Sequence, residues 1–334
     1  MKAIILEGPD KPLVLKEVPT PAPKAGEVLV QLKASSLNRR DWWITQGKYA
    51  NISYPAILGT DGAGIVTEVG EGVDHDWVGK EVVLYPGYNW GNSEEYQANE
   101  FTAIGLPPYN GTFAEYITAP VEHLQFKPLH LSFEQTASLP VAALTAYRAL
   151  FVKARIKKGD TVLVTGVGGG AGTFALQFAV AMGCRVFVTS GSGEKIERAR
   201  HLGAAAGVNY KAQDWAEQLK QLSGGFDIII DSAMGDGFAK FLDVIKPGGR
   251  IVFFGGTAGG NLPELNGRKI FWRHISILGT MMGSPADFGA MLAFVNEHKL
   301  EPVVDEVFPL ADAEIAIRRM DHSPQFGKLV LRHS

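Results

Sequence analysis

Two domains of different class are predicted for this 334-residue chain: a doubly wound parallel α/β sheet, and a β-rich domain to which the last residues return. Three observations predict them. An apolar strand, Val162-Leu163-Val164, runs through Thr165 into the glycine cluster at 166–172 and on into a helical pattern. Helices alternate with strands from Phe133 onward, as in a parallel sheet covered on both faces. Residues 1 to 123 instead carry short apolar runs punctuated by glycine and proline.

A hydrophobic content of 46% against 20% charged residues suffices for two cores. The net charge of -3 leaves no electrostatic footprint for nucleic acid. No apolar run is long enough for a bilayer, and the first residues meet Glu7 and Gly8-Pro9 too soon for a signal segment, so a cytoplasmic protein is expected. The single cysteine, Cys184, excludes an intrachain disulfide and a cysteine-based zinc site, and reads as a small core hydrophobe.

In chain order, strands are expected at 2–6, 13–18 and 28–34. A helix follows at 37–46, with Asn38 as its cap, Asp41 completing a capping box and Gly47 ending it. Strands at 63–69 and 80–84 flank the turn Gly70-Glu71-Gly72. Residues 86–112 have no period and are expected to be pinned by Trp90, Tyr96 and Phe101, before a strand at 113–119. A helix at 136–153 carries a kink at Pro140. Beyond the glycine cluster, helices at 171–182, 194–202, 213–222 and 237–245 alternate with strands at 185–189, 206–209, 226–231 and 250–254.

The glycine cluster has a specific chemistry. Gly166, Gly169 and Gly172 recur every third residue with Gly168 and Gly170 between them, while Gly166, Gly168 and Ala171 satisfy G-x-G-x-x-A. Without side chains, such a backbone can approach a pyrophosphate, whose charge meets free N–H groups and the positive end of a helix dipole. A strand before, a helix after and a second strand ending where a ribose belongs supply the context that a plain glycine turn lacks. There an NAD-selective site places an acid, but this chain has Thr189-Ser190-Gly191-Ser192-Gly193. With no carboxylate to repel a 2′-phosphate, Ser190, Ser192 and Lys195 are available to bind it, which predicts NADP(H). The bland alternative leaves Lys195 on a solvated helix face.

Four segments resemble the medium-chain dehydrogenase/reductase superfamily and, within it, the zinc-free quinone oxidoreductase branch. They are Asn38-Arg39-Arg40-Asp41 through Gly47-Lys48-Tyr49, Gly59-Thr60-Asp61-Gly62-Ala63-Gly64-Ile65-Val66 with Val69-Gly70, the glycine cluster, and Gly327-Lys328-Leu329-Val330-Leu331. The resemblance covers the whole chain. It implies a GroES-like β-barrel catalytic domain at 1–123, a Rossmann NADP-binding domain at 124–275, a return to the catalytic domain at 276–334, and an active-site cleft at the junction. It also implies that Tyr210 joins Lys195 at the 2′-phosphate and that Gly255-Gly256-Thr257 passes under the nicotinamide ribose. Thr280-Met281-Met282 and Thr145 would meet the nicotinamide end, and the strand at 275–279 would pair across a homodimer.

Departures from the superfamily's zinc enzymes point to the chemistry. Zinc alcohol dehydrogenases place a cysteine where Asn38 stands, a His-Glu pair at Thr60-Asp61, and a cysteine-rich zinc lobe at 89–101. Those ligands are missing, and Asp61 alone makes no tetrahedral site, so no zinc is expected. Without a Lewis acid, a quinone or an enone or alkenal is an easier substrate than a simple ketone, because the negative charge spreads onto an oxygen that neutral donors can stabilise. The resemblance implies that Asn38, Trp43 and Tyr49 line that pocket, with the Asn38 amide or the Tyr49 hydroxyl as donor. Against this, Asn38 could serve only as a helix cap, Tyr49 only in packing, and Asp41 reads as structural. An NADPH-dependent reductase of such a small molecule is expected; the alternatives are an NADPH-binding sensor or structural protein without turnover, and an alcohol dehydrogenase-like enzyme.

Overall fold

The computed structural model describes residues 1–333, which fall into two units, Met1–Ala142 with the segment from Ser284 on, and Ala143–Gly283. The first begins with β1 (Lys2–Leu6), β2 (Leu13–Glu17), β3 (Glu27–Ser36), α1 (Arg39–Thr45), β4 (Ala56–Ile57), β5 (Asp61–Val69) and β6 (Glu81–Leu84). It continues with β7 (Gly87–Tyr88), β8 (Thr102–Ala103), β9 (Tyr116–Pro120), β10 (Leu124–Phe126), α2 (Phe133–Ala137) and the start of α3 (Pro140–Tyr147). Strand β3 is the hub, antiparallel to β5 along most of its length and to β9 through Glu27–Gln31. Val28, Val30 and Leu32 turn one face of it into a core with Val66, Val82, Leu84 and Ile117. The close pairing depends on Gly64, where a Cβ would stand 2.1 Å from the Gln31 carbonyl oxygen.

The expected helix at 136–153 is two helices followed by a π-helical turn at Arg148–Lys153. Pro140 opens α3, where its missing N–H goes unneeded, so the chain breaks rather than kinks. Helix α2 packs on β3 and β5, and the first unit therefore runs to 142, past the change of pattern at 123.

The second unit contains β11 (Thr161–Val164), α4 (Gly170–Ala181), β12 (Arg185–Ser190), α5 (Gly193–His201), β13 (Ala206–Asn209), α6 (Trp215–Ser223) and β14 (Phe226–Asp231). It ends with α7 (Phe241–Val244), β15 (Ile245–Phe253), α8 (Gly267–Trp272) and β16 (Ser276–Gly279). All six strands pair in parallel in the order β13-β12-β11-β14-β15-β16. Its inner strands are continuous apolar runs because helices cover both faces. The order reverses between β11 and β14, so the carboxyl end of β11, where the glycine cluster begins, lies at the switch point where such sheets bind ligands. This is the doubly wound α/β fold expected from the sequence. Pro247-Gly248-Gly249 turns within β15: Ile245 pairs with Phe226, Arg250 with Ile228, and the residues between bulge out.

The chain then returns to the first unit through α9 (Pro285–Glu297), β17 (Val304–Pro309), α10 (Ala313–Arg318) and β18 (Lys328–Arg332). Strand β18 lies antiparallel to β3 at Ala34–Ser36 and parallel to β17. That register places Lys328 beside the junction of β3 and α1.

Two local expectations need correction. In the irregular segment, Trp90 is buried edge-on against Phe101, with its indole N–H donating to the Ser93 carbonyl at 2.7 Å, but Tyr96 is 66% exposed and pins nothing. The segment is held instead by Trp90 and by the Ser284 hydroxyl, which donates to Glu94 at 2.7 Å. Cys184 is half-buried rather than in the core, because it sits in the turn between α4 and β12; its thiol donates to the Lys157 carbonyl at 3.2 Å, and burial pushes its pKa up to about 11. No helix among the described residues is long and apolar enough to cross a membrane.

Candidate functional site

In the second unit, Gly166 (φ +60°) and Gly168 (φ +138°) adopt backbone conformations that side chains disfavour. The Gly166 N–H donates to Thr189 Oγ1 at 3.1 Å and the Val167 N–H to the Thr189 carbonyl at 2.8 Å, which ties the loop to the end of β12. Gly169 caps α4 with open space where a side chain would be. Gly170, Ala171 and Gly172 form the first helical turn, whose N–H groups have no partner within the helix. A cradle of open backbone amides at the positive end of a helix fits a pyrophosphate. A Cβ on Gly168 would lie 2.9 Å from Lys195 Cδ and 3.3 Å from its Nζ, so Lys195 reaches over the loop rather than into solvent.

The end of β12 gathers the other predicted phosphate ligands. Ser190, buried at the last strand position, accepts from the Ser192 N–H at 3.2 Å, and Ser192 caps α5 by accepting from the Lys195 N–H at 3.4 Å. A Cβ on Gly191 would stand 2.9 Å from Tyr210 Oη and 3.0 Å from Lys211 Cε, so both of these side chains fold over Gly191. Lys211 was not singled out from the sequence; its signal is its place just after β13, the strand beside β12.

At the far side of the switch point, Gly255 (φ +74°) follows β15, and Thr257 Oγ1 donates to the Ser232 carbonyl at 3.4 Å. A Cβ on Gly256 would strike Gly260 Cα at 2.8 Å. Thr280, just after the neighbouring β16, donates its N–H to the Phe253 carbonyl at 3.0 Å, while its buried Oγ1 has no hydrogen-bond partner. Such an orphaned hydroxyl fits a ligand amide. Met281 is exposed, Met282 is buried at φ +38°, and Thr145 is buried on α3. Asp231, also missed, ends β14 and accepts from Thr165 Oγ1 at 2.5 Å and from the Met234 N–H at 2.7 Å. Burial nevertheless holds its carboxyl above the usual range.

In the first unit, Asn38 caps α1, and buried Asp41 accepts the Asn38 N–H at 2.8 Å as the capping box requires. Burial raises the Asp41 pKa, with the Arg40 guanidinium 3.7 Å away opposing it. Capping does not exhaust Asn38. Its Nδ2 donates to Asp61 Oδ2 at 2.9 Å, its Oδ1 accepts from Lys328 Nζ at 2.7 Å, and Lys328 Nζ donates to the same Asp61 oxygen at 3.0 Å. Fully buried Asp61 also accepts from Ser36 Oγ at 2.8 Å and from the Val141 N–H at 2.9 Å. Arg40 donates to Thr60 Oγ1 and, at 2.9 Å, to the Ile104 carbonyl. Trp43 packs edge-on against Trp42 at 4.7 Å with Lys48 Nζ 5.2 Å from its ring, and Tyr49, just past Gly47, is 39% exposed. The site thus joins the sequence-predicted Asn38 to Lys328, whose pairing the sequence did not reveal.

Residues 24–128 match the family model described as "Alcohol dehydrogenase GroES-like domain", and residues 170–297 match "Zinc-binding dehydrogenase". The chain is 37% identical to a zinc-type alcohol dehydrogenase-like protein, YogA, of Leptosphaeria maculans, over 96% of this chain and 94% of that one. It is 29% identical to an acryloyl-coenzyme A reductase of Sulfurisphaera tokodaii, over 99% of this chain and 100% of that one. A crystal structure of an NAD-dependent alcohol dehydrogenase matches with a TM-score of 0.92 and 36% identity, covering 99% of both chains.

Proposed function

Because the chain belongs to the medium-chain dehydrogenase/reductase superfamily, we propose that it is an NADP(H)-dependent oxidoreductase that reduces a quinone or an α,β-unsaturated carbonyl without zinc. The observation that carries this reading is the Asn38–Asp61–Lys328 ring. A tetrahedral zinc does not fit those residues. Asp61 is already taken up by an ammonium, an amide, a hydroxyl and a backbone N–H, and a second cation, Arg40, sits beside Thr60. A metal ion would have to displace Lys328 and then find ligands softer than an amide and a hydroxyl. Among the described residues no three His, Cys, Asp or Glu side chains cluster to replace them.

The cofactor does fit. Gly166, Gly168, Gly169, Gly170, Ala171 and Gly172 would cradle its pyrophosphate, Ser190, Ser192, Lys195, Tyr210 and Lys211 its 2′-phosphate. Gly255, Gly256, Thr257, Thr145 and the 280–282 segment would hold its nicotinamide half, with Thr280 Oγ1 available to the carboxamide. The chemistry that NADPH would supply when bound is a hydride for a carbon of the acceptor, whose π electrons would move to oxygen and take up a solvent proton. Asn38 Nδ2 and the Tyr49 hydroxyl donate to that oxygen as its charge develops, and Trp43 excludes water. The acryloyl-coenzyme A reductase relative, named for a conjugated substrate, supports the substrate class.

NADPH oxidation over a panel of quinones, alkenals and simple aldehydes, with a chelator present, tests this reading. Turnover of conjugated acceptors, unaffected by the chelator, is expected. Activity on simple aldehydes that returns only with added zinc would make the protein an alcohol dehydrogenase, and tight NADPH binding without any turnover would make it a binding protein.

A homodimer is part of the same proposal. Strand β16 is the outer strand of its sheet, and Phe271 and the 77% exposed Trp272 precede it on α8. Light scattering should give a dimer for the native chain and a monomer for Phe271→Asp/Trp272→Asp. A native monomer would sink the idea.

A further inference from the structure

We propose that Lys328 is a positioning residue for hydride transfer: its ammonium decides which atom of Asn38 faces the substrate and strengthens that atom as a donor. The proposal rests on the reading above, in which Asn38 serves the substrate oxygen.

An amide can turn over to exchange its oxygen and nitrogen, and its partners decide the orientation. Lys328 Nζ can only donate and the Asp61 carboxylate can only accept. With Oδ1 at 2.7 Å from Nζ and Nδ2 at 2.9 Å from Asp61, both demands are met. The flipped amide would set oxygen against carboxylate and NH₂ against ammonium. Asn38 is thereby locked with its oxygen held against the ammonium and one N–H of Nδ2 left over, so the group it can offer a substrate as a donor is that N–H.

Burial makes the lock electrostatic as well as geometric. Asn38 is partly exposed, whereas Lys328 is 3% exposed and Asp61 is wholly buried. The charges act on a ligand through the amide between them. A cation on Oδ1 draws electron density out of the amide and makes its remaining N–H a stronger donor, and low local polarity enlarges the effect. Lys328 also neutralises Asp61, whose negative charge would otherwise oppose the developing oxyanion.

The test uses the full-length chain with saturating NADPH and an acceptor found to turn over. Asn38→Ala should lower kcat by about 10²-fold, the scale of one lost oxyanion donor. Lys328→Met/Asp61→Asn, which removes both charges together, should lower kcat by roughly tenfold while the KM for NADPH stays within about twofold. In that background Asn38→Ala should cost less than it does alone, because the amide is no longer locked. Lys328→Arg, which keeps the charge, should recover most of the lost rate. Full kcat in the double variant overturns the role of Lys328 while a damaging Asn38→Ala leaves the function standing; a harmless Asn38→Ala overturns both. Should the double variant lose its fold, Lys328→Gln/Asp61→Asn, which keeps a neutral donor to the same amide and leaves no buried charge, decides: a several-fold drop in kcat supports the proposal, and native kcat overturns it.

Discussion

Lys195→Ala is expected to weaken NADPH binding by roughly 10- to 100-fold and NADH binding by less than about twofold, read by fluorescence titration at fixed ionic strength. One charge-assisted hydrogen bond contributes about 1.5–3 kcal/mol, which sets that scale. The position of Lys195 gives the experiment two distinct outcomes. Its stem lies over Gly168 in the glycine loop, while its own N–H caps onto Ser192 beside Ser190 and Gly191. If the ammonium reaches back to the pyrophosphate, both cofactors weaken equally and the assignment to the 2′-phosphate fails. Lys195→Arg should retain most of the discrimination, since either cation can pair with a phosphate.

Asp61→Ala should lower the unfolding free energy by about 3–5 kcal/mol, the cost of leaving a buried charge without its partner. Lys328, Asn38, Ser36 and Val141 all lose an acceptor at one stroke. Lys328→Met/Asp61→Asn should stay within about 2 kcal/mol of the native chain, because removing both ions leaves no uncompensated charge. Urea midpoints at constant slope measure both. A loss below about 1 kcal/mol for Asp61→Ala would mean that water, rather than this ring, solvates Lys328.

These two sites were legible to different depths in the sequence. The cradle was readable because each of its signals is local. Gly166, Gly168 and Gly169 link β11 directly to α4, and the apolar run of β11 before them is buried. The break between α2 and α3 was harder to place, because Ser138 and Leu139 resemble helix residues and only tertiary packing decides that Pro140 starts a helix instead of bending one. The partner of Asn38 was out of reach. Residues 38 and 61 could be placed together through a resemblance, but the arrival of Lys328 depends on the register of β18 against β3, which no local pattern encodes. Thr280 gave no signal of its own either, since an orphaned hydroxyl is defined by what fails to surround it.

The ring around Asn38 also has a chain-statistical consequence. Asn38 meets Asp61 across 23 residues but Lys328 across 290. For a flexible chain, closing the longer loop costs about 2 kcal/mol more in entropy than closing the shorter one. The 143–283 unit is a single uninterrupted stretch within that longer loop, so once it has folded, much of the slack is gone and the closure becomes cheaper. The orientation of one amide thus depends on a contact that favours late formation, after the intervening unit has condensed.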